Sequence, residues 1–88
     1  MCKDVKMDTQ KGRILRKFGQ HVTKLRTGLG LSQDKVVLNS DRLIKATVSD
    51  VENGKRDIAF TTLVDLAKGL GISLIELVDI NFSKEEEA

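Results

Sequence analysis

Glycine and polar capping residues interrupt the apolar pattern so often that this chain can only be a packing of short helices. Across residues 11–27 the apolar side chains Ile14, Leu15, Phe18, Val22 and Leu25 recur at intervals of 1, 3, 4 and 3, which lays one stripe along a helix. Gly28, Leu29, Gly30 and Leu31 break that pattern, and Ser32 is a good N-cap for the next helix. The second helix, Gln33–Asn39, has barely two turns and offers Val36, Val37 or Leu38 to a core. A polar turn through Asn39, Ser40, Asp41 and Arg42 leads to a third helix ending near Asn53, with Ile44, Val48 and Val51 at i, i+4 and i+7. Asn53 and Gly54 stop it. Lys55, Arg56 and Asp57 lead into a fourth, where Phe60, Leu63, Val64, Ala67 and Leu70 repeat at helical spacing until Gly69 and Gly71. Ser73 followed three residues later by Glu76 is a capping box, opening a fifth helix with Leu74, Ile75, Leu77 and Val78.

No long alternating pattern suggests a strand, so the expected class is all-α. One domain is expected over residues 11–82, with a flexible arm at 1–10 and an acidic disordered tail at 83–88. Helices this short are unstable alone and must share one core. With three Phe and no Trp or Tyr that core is aliphatic, and aromatic stacking on nucleic-acid bases is an unpromising mechanism. A single Cys, at position 2, and the single His21 exclude a disulfide framework and a metal cluster, so no metal or cofactor is expected and a cytoplasmic setting fits. The longest apolar run is three residues, Val36, Val37 and Leu38, which gives neither a signal peptide nor a membrane span. Nucleophile, base and orienting group do not occur together, so the chain does not read as an enzyme.

The net charge of +2 conceals a gradient. Residues 1–26 carry eight Lys or Arg against two acids, 27–56 five against four, and 57–88 two against seven. Such a molecule can meet a polyanion at its basic end and a different partner, such as a protein, at its acidic C-terminal side; the alternative is a solvated surface.

Two short helices joined by a tight polar turn, the second polar on its outward face, are the arrangement that presents a helix to a DNA major groove. Leu31-Ser32-Gln33-Asp34, Val48-Ser49-Asp50-Val51-Glu52-Asn53-Gly54-Lys55-Arg56 and Leu63-Val64-Asp65-Leu66-Ala67-Lys68-Gly69-Leu70-Gly71-Ile72-Ser73-Leu74 resemble, in order, the Cro and phage-repressor type helix-turn-helix proteins of the XRE family. The resemblance covers residues 12–80 and implies a compact five-helix, lambda-repressor-like DNA-binding domain. It implies base-reading roles for Lys45, Ala46, Thr47, Ser49 and Asp50, and phosphate-binding roles for Gln33, Asn53, Lys55 and Arg56. It also implies a structural salt bridge between Arg26 and Glu52. None of the five reading positions carries the bidentate fork of Arg, Asn or Gln, which leaves part of the specificity to groove shape.

Three departures from the family stand out. The stretch Ser40-Asp41-Arg42-Leu43 is one residue longer than the usual turn, and Ile44 stands where relatives often have Ser or Thr, so either Asp41 or Ile44 starts the reading helix. Asp57 stands where a Pro or polar pair is common and is a candidate cap for the fourth helix. Phe60 holds a position that in some repressors carries a phosphate-binding Arg, and no role carries over to it.

One short helix reads too few base pairs to identify a genomic site, and relatives pair two-fold related subunits on a palindrome. Leu74, Ile75, Val78, Ile80 and Phe82 exceed what the fifth helix can bury internally and are the candidate dimer interface. The expected function is a homodimeric transcriptional regulator of double-stranded DNA, either a phage-type repressor or a restriction-modification controller. The alternative is a protein-interaction module, such as an antitoxin built on the same fold.

Overall fold

A computed structural model of the chain describes residues 10–81, in which five α-helices occur and no strand. They are α1 (Gly12–Gly28), α2 (Gln33–Asn39), α3 (Lys45–Glu52), α4 (Phe60–Leu70) and α5 (Leu74–Leu77). Residues 1–9 of the arm expected at 1–10, the tail at 83–88 and Phe82 lie outside the described residues.

Local chemistry sets most of the helix ends. Ser32 accepts from the Lys35 N–H at 3.0 Å, and Ser73 and Glu76 form a reciprocal capping box with both bonds at 3.1 Å. At the other ends, Gly30, Gly54 and Gly71 adopt left-handed φ of 75°, 69° and 76°. After each of them the chain turns back, so that Leu31, Lys55 and Ile72 donate to the carbonyls of Arg26, Asp50 and Ala67 at 3.0, 2.9 and 3.0 Å. One start differs from the sequence reading, and another resolves a choice the sequence left open. α4 begins after Ala59, which has no side-chain acceptor, and Asp57 pairs with Lys11 at 3.4 Å instead of capping the helix. α3 begins after Ile44, with Asp41 left in the turn.

The core collects Val22 from α1, Val36 from α2, Leu43 from the turn, Val48 and Val51 from α3, Leu66, Ala67 and Leu70 from α4, and Leu77 from α5. Of the three candidates on α2, Val36 is fully buried, Val37 packs at the margin and Leu38 faces solvent. The stripe expected on α3 holds at Val48 and Val51, which are buried, and departs at Ile44, the residue before the helix, whereas the stripe expected on α4 is rotated. Ile44 is 60% exposed and Phe60 66%, while Leu66 and Leu43, outside the expected stripes, are buried. The cause on α4 is its close approach to α2: a Cβ on Gly69 would lie 2.6 Å from the Val36 carbonyl oxygen. That contact turns the Leu66 and Leu70 side inward and leaves Phe60 and Val64 at the rim.

α1 lies across the C-terminal end of α3, and it can do so only because position 19 has no side chain. A Cβ there would sit 2.5 Å from the carbonyl oxygens of both Val51 and Glu52. Gly19→Ala should therefore force the two helices apart and destabilise the domain by about 1–3 kcal/mol, lowering Tm by roughly 5–20 °C. Gly28→Ala is the control, since a Cβ at Gly28 meets nothing within 4 Å. It should leave Tm unchanged or raise it by a few degrees as the unfolded chain loses freedom. Thermal unfolding followed by circular dichroism distinguishes the two.

Candidate nucleic-acid interface

α3 buries Val48 and Val51, and helical spacing then turns Lys45, Ala46, Ser49 and Asp50 outward, followed by Asn53 at its C-terminal cap. Thr47 is set apart: it lies on the flank of α3, lining an open groove with Arg42, Arg56, Phe60 and Asp65. Four of the five expected reading residues thus share one outward face and the fifth borders it.

Two of the expected DNA-contacting cations are already paired within the chain. Lys45 Nζ lies 3.4 Å from Asp34 Oδ1 on α2, and Arg56 Nη2 donates to Asp50 Oδ2 at 3.0 Å. Both pairs are exposed, and exposed pairs contribute only about 0–1 kcal/mol, so a phosphate can displace either acid at small cost. Lys55 is exposed beside Arg56, and its own N–H bond to Asp50 fixes where the loop leaves α3. Asn53 Nδ2 stands 3.4 Å from Ser49 Oγ, a marginal contact that leaves its amide available.

Behind this face is a nearly dry polar network. Arg26 Nε donates to Glu52 Oε2 at 2.6 Å and Nη2 to Oε1 at 3.2 Å, a fork-like pair with side chains 15% and 6% exposed. Arg26 Nη1 also donates to the Leu31 carbonyl at 2.9 Å. Gln33 Nε2 donates to Glu52 Oε1 at 3.0 Å, so one of its two amide hydrogens is used internally and the other remains for an outside acceptor. The network ties α1, the loop after it, the first residue of α2 and the last of α3 into one unit.

The residues that sequence reasoning missed hold the turn between α2 and α3. Asp65 on α4 accepts from the Asp41 N–H at Oδ1 and from the Arg42 N–H at Oδ2, both at 2.8 Å. One turn further along α4, Lys68 Nζ lies 2.8 Å from both oxygens of Asp41. Ser40 Oγ accepts from the Leu43 N–H at 3.2 Å. No local pattern in the sequence marks this clamp, because its partners are separated by 23 to 27 residues. Desolvation acts to raise the Asp65 pKa, but the N–H groups of Asp41, Arg42 and Leu43 and the charge of Lys68 outweigh it and hold the carboxyl below the usual carboxylate value.

The candidate dimer residues divide. Ile75 is 80% exposed and Val78 is also exposed, whereas Leu74 packs partly on the core. Ile80 is half-buried against Lys17, Gln20, His21 and Lys24 of α1. Among the described residues no group of acids, His or Cys could hold a metal ion, and no helix is long and apolar enough to cross a membrane.

Because the Asp65 pKa is depressed on folding, its contribution to stability is present above the ordinary carboxylate pKa and is lost as pH falls through the lowered value. Asp65→Asn should remove that component. Urea midpoints measured from pH 7 down to pH 2 should show wild type and variant converging at the acid end, with the variant less stable at neutral pH.

The helix-turn-helix family model matches residues 22–77. Over 62 residues the chain is 39% identical to control protein C.MunI from Mycoplasma sp., a match spanning 69% of this chain and 82% of that protein. It is 32% identical over 63 residues to control protein C.BamHI from Bacillus amyloliquefaciens, spanning 70% and 76%. The crystal structure of the restriction-modification controller protein C.AhdI from Aeromonas hydrophila superposes with a TM-score of 0.68 at 38% identity, covering 74% of this chain and 97% of that one. With the family model matching more than half of the chain and control proteins more than 30% identical over most of their length, the chain belongs to the XRE-type helix-turn-helix family of DNA-binding regulators.

Proposed function

We propose that the protein is a homodimeric, sequence-specific transcriptional regulator of the restriction-modification controller type, acting in the cytoplasm on a palindromic operator. The observation that carries this reading is the placement of a polar α3 face directly before the exposed Lys55 and Arg56, on a helix whose C-terminal end is fixed by Arg26 and Glu52. Lys45, Ala46, Ser49 and Asp50 face base edges, with Thr47 at the border of the contact. Lys45 can donate to guanine O6 or N7, Ala46 can touch a thymine methyl and Asp50 can accept from cytosine N4. Lys55 and Arg56 hold the backbone, joined by the amides of Asn53 and Gln33. For Arg56, binding means exchanging Asp50 for a phosphate, which frees Asp50 for a base in the same step. The role needs no catalytic group, metal or cofactor.

Two copies meet through the exposed Ile75 and Val78, with Leu74 and Ile80 at the margin of the contact. Such pairing sets two reading helices roughly 34 Å apart, one DNA turn. It also covers apolar surface that a one-turn helix cannot bury by itself.

Selection of bound fragments from random DNA tests the whole reading. A palindrome is expected; a single asymmetric half-site would rule out the paired arrangement. Lys45→Glu should change the selected sequence. Lys55→Ala should weaken binding to every sequence and reduce the slope of log K against log salt by about 1. Ile75→Asp should give a monomer by light scattering at tens of micromolar and lose the palindrome.

A further inference from the structure

The start of α3 is not set by its own residues. Ile44 is the N-cap, yet its side chain makes no capping bond, and an exposed isoleucine is among the poorest residues for that place. Asp41, three residues earlier, is among the best. By local preference alone the helix would begin after Asp41 and include Arg42, Leu43 and Ile44.

Contacts from α4 prevent this. Lys68 takes both oxygens of the Asp41 carboxylate at 2.8 Å, so that carboxylate is turned away from the N–H groups it would otherwise cap. Asp65 takes the Asp41 and Arg42 N–H groups, one on each oxygen, and Ser40 takes that of Leu43. Held this way, the turn delivers Leu43 into the core and releases the chain into helix only at Lys45. We propose that Asp65 and Lys68 are positioning residues for DNA reading, which set the first residue of the reading helix by occupying Asp41 and the turn N–H groups. The link to DNA rests on the function proposed above; the boundary of the helix does not.

The consequence for recognition is geometric. A helix begun one turn earlier carries Arg42 to Ile44 on its leading turn and changes the angle at which Lys45, Ala46 and Ser49 meet a groove. Asp65 and Lys68 line the same open groove as Thr47 and Arg56, at the border of the reading face, and their bonds go to the turn before α3, so they act on the helix through that turn.

The test uses Lys68→Gln, Asp65→Asn and the double variant in the full chain. Backbone 13Cα chemical shifts of the free protein report the boundary. In the double variant, shifts at Arg42, Leu43 and Ile44 should move to helical values, and adding Asp41→Ala should return them because no early cap remains. Random-sequence selection should then show an altered preference, or a ratio of selected to unrelated DNA reduced by about tenfold or more, the worth of one good base contact. The salt slope on unrelated DNA should be unchanged, since Lys55 and Arg56 are untouched. A purely structural role would lower Tm and leave both the boundary and the selected sequence as in wild type, and that result overturns the proposal. Should the double variant fail to fold, Lys68→Gln decides by the same shifts, because it removes an exposed cation and leaves both Asp65 bonds in place. Wild-type protein that selects no DNA would refute the proposed function, while the chemical shifts would still decide what sets the boundary.

Discussion

The carboxylate of Glu52 is the point on which the arrangement depends. It is nearly dry, and it receives Arg26 from α1 on both oxygens and Gln33 from α2 on one. A lone carboxylate at that depth would be costly, and so would a lone guanidinium. Each is tolerable only while the other is in place, so any movement of α3 relative to α1 must break charge-assisted bonds in a setting with little water to replace them. Replacing such a pair with apolar groups is often nearly neutral for stability. Its consequence here is therefore positional: it defines one placement of the last turn of α3. The contact at Gly19 reinforces this from the same side, because helix backbones that touch without a Cβ between them have little room to slide.

What could be read from the sequence was what depends on neighbours along the chain. Ser32, the Ser73 and Glu76 box, and the left-handed glycines at 30, 54 and 71 each act within six residues, so helix number and most boundaries were legible. The facing of the helices was legible only in part. Leu63, Ala67 and Leu70 suit either of two stripes on α4, and only the approach of Gly69 to Val36 selects the one that buries Leu66 and exposes Phe60. Ile44 reads as a stripe residue because it stands four before Val48, but outside the helix proper that spacing has no geometric meaning. Asp65 and Lys68 were illegible for a related reason. An acid and a base three apart on a helix look like a solvated face, and nothing nearby indicates that both reach back to a turn more than twenty residues earlier.

The charge gradient takes a specific form in three dimensions. The basic groups of the proposed interface do not form a bare positive field, because Asp34 and Asp50 stand beside Lys45 and Arg56. A phosphate at either cation replaces a contact already made, so the gain on generic DNA is smaller than the count of cations implies. An acid displaced toward a base edge, in contrast, can gain a new partner when that base is cytosine. Internal pairing of this kind reduces the reward for arbitrary DNA more than for a matching site, which is a form of discrimination by penalty rather than attraction.

The two ends of α3 are consequently held by different physics. Its C-terminal end is fixed by buried charge, backbone contact at Gly19 and the closing turn at Gly54, all of which resist displacement in a close-packed interior. Its N-terminal end is fixed by exposed hydrogen bonds to two α4 side chains, which water can compete for. A polar clamp at the solvent edge can be exchanged by single substitutions without opening the core, whereas Glu52 cannot change without Arg26. A family that keeps one scaffold while changing the sequences it reads would find its freedom at the first of these ends, because reorienting the leading turn there alters what the helix presents and leaves the packing beneath it intact.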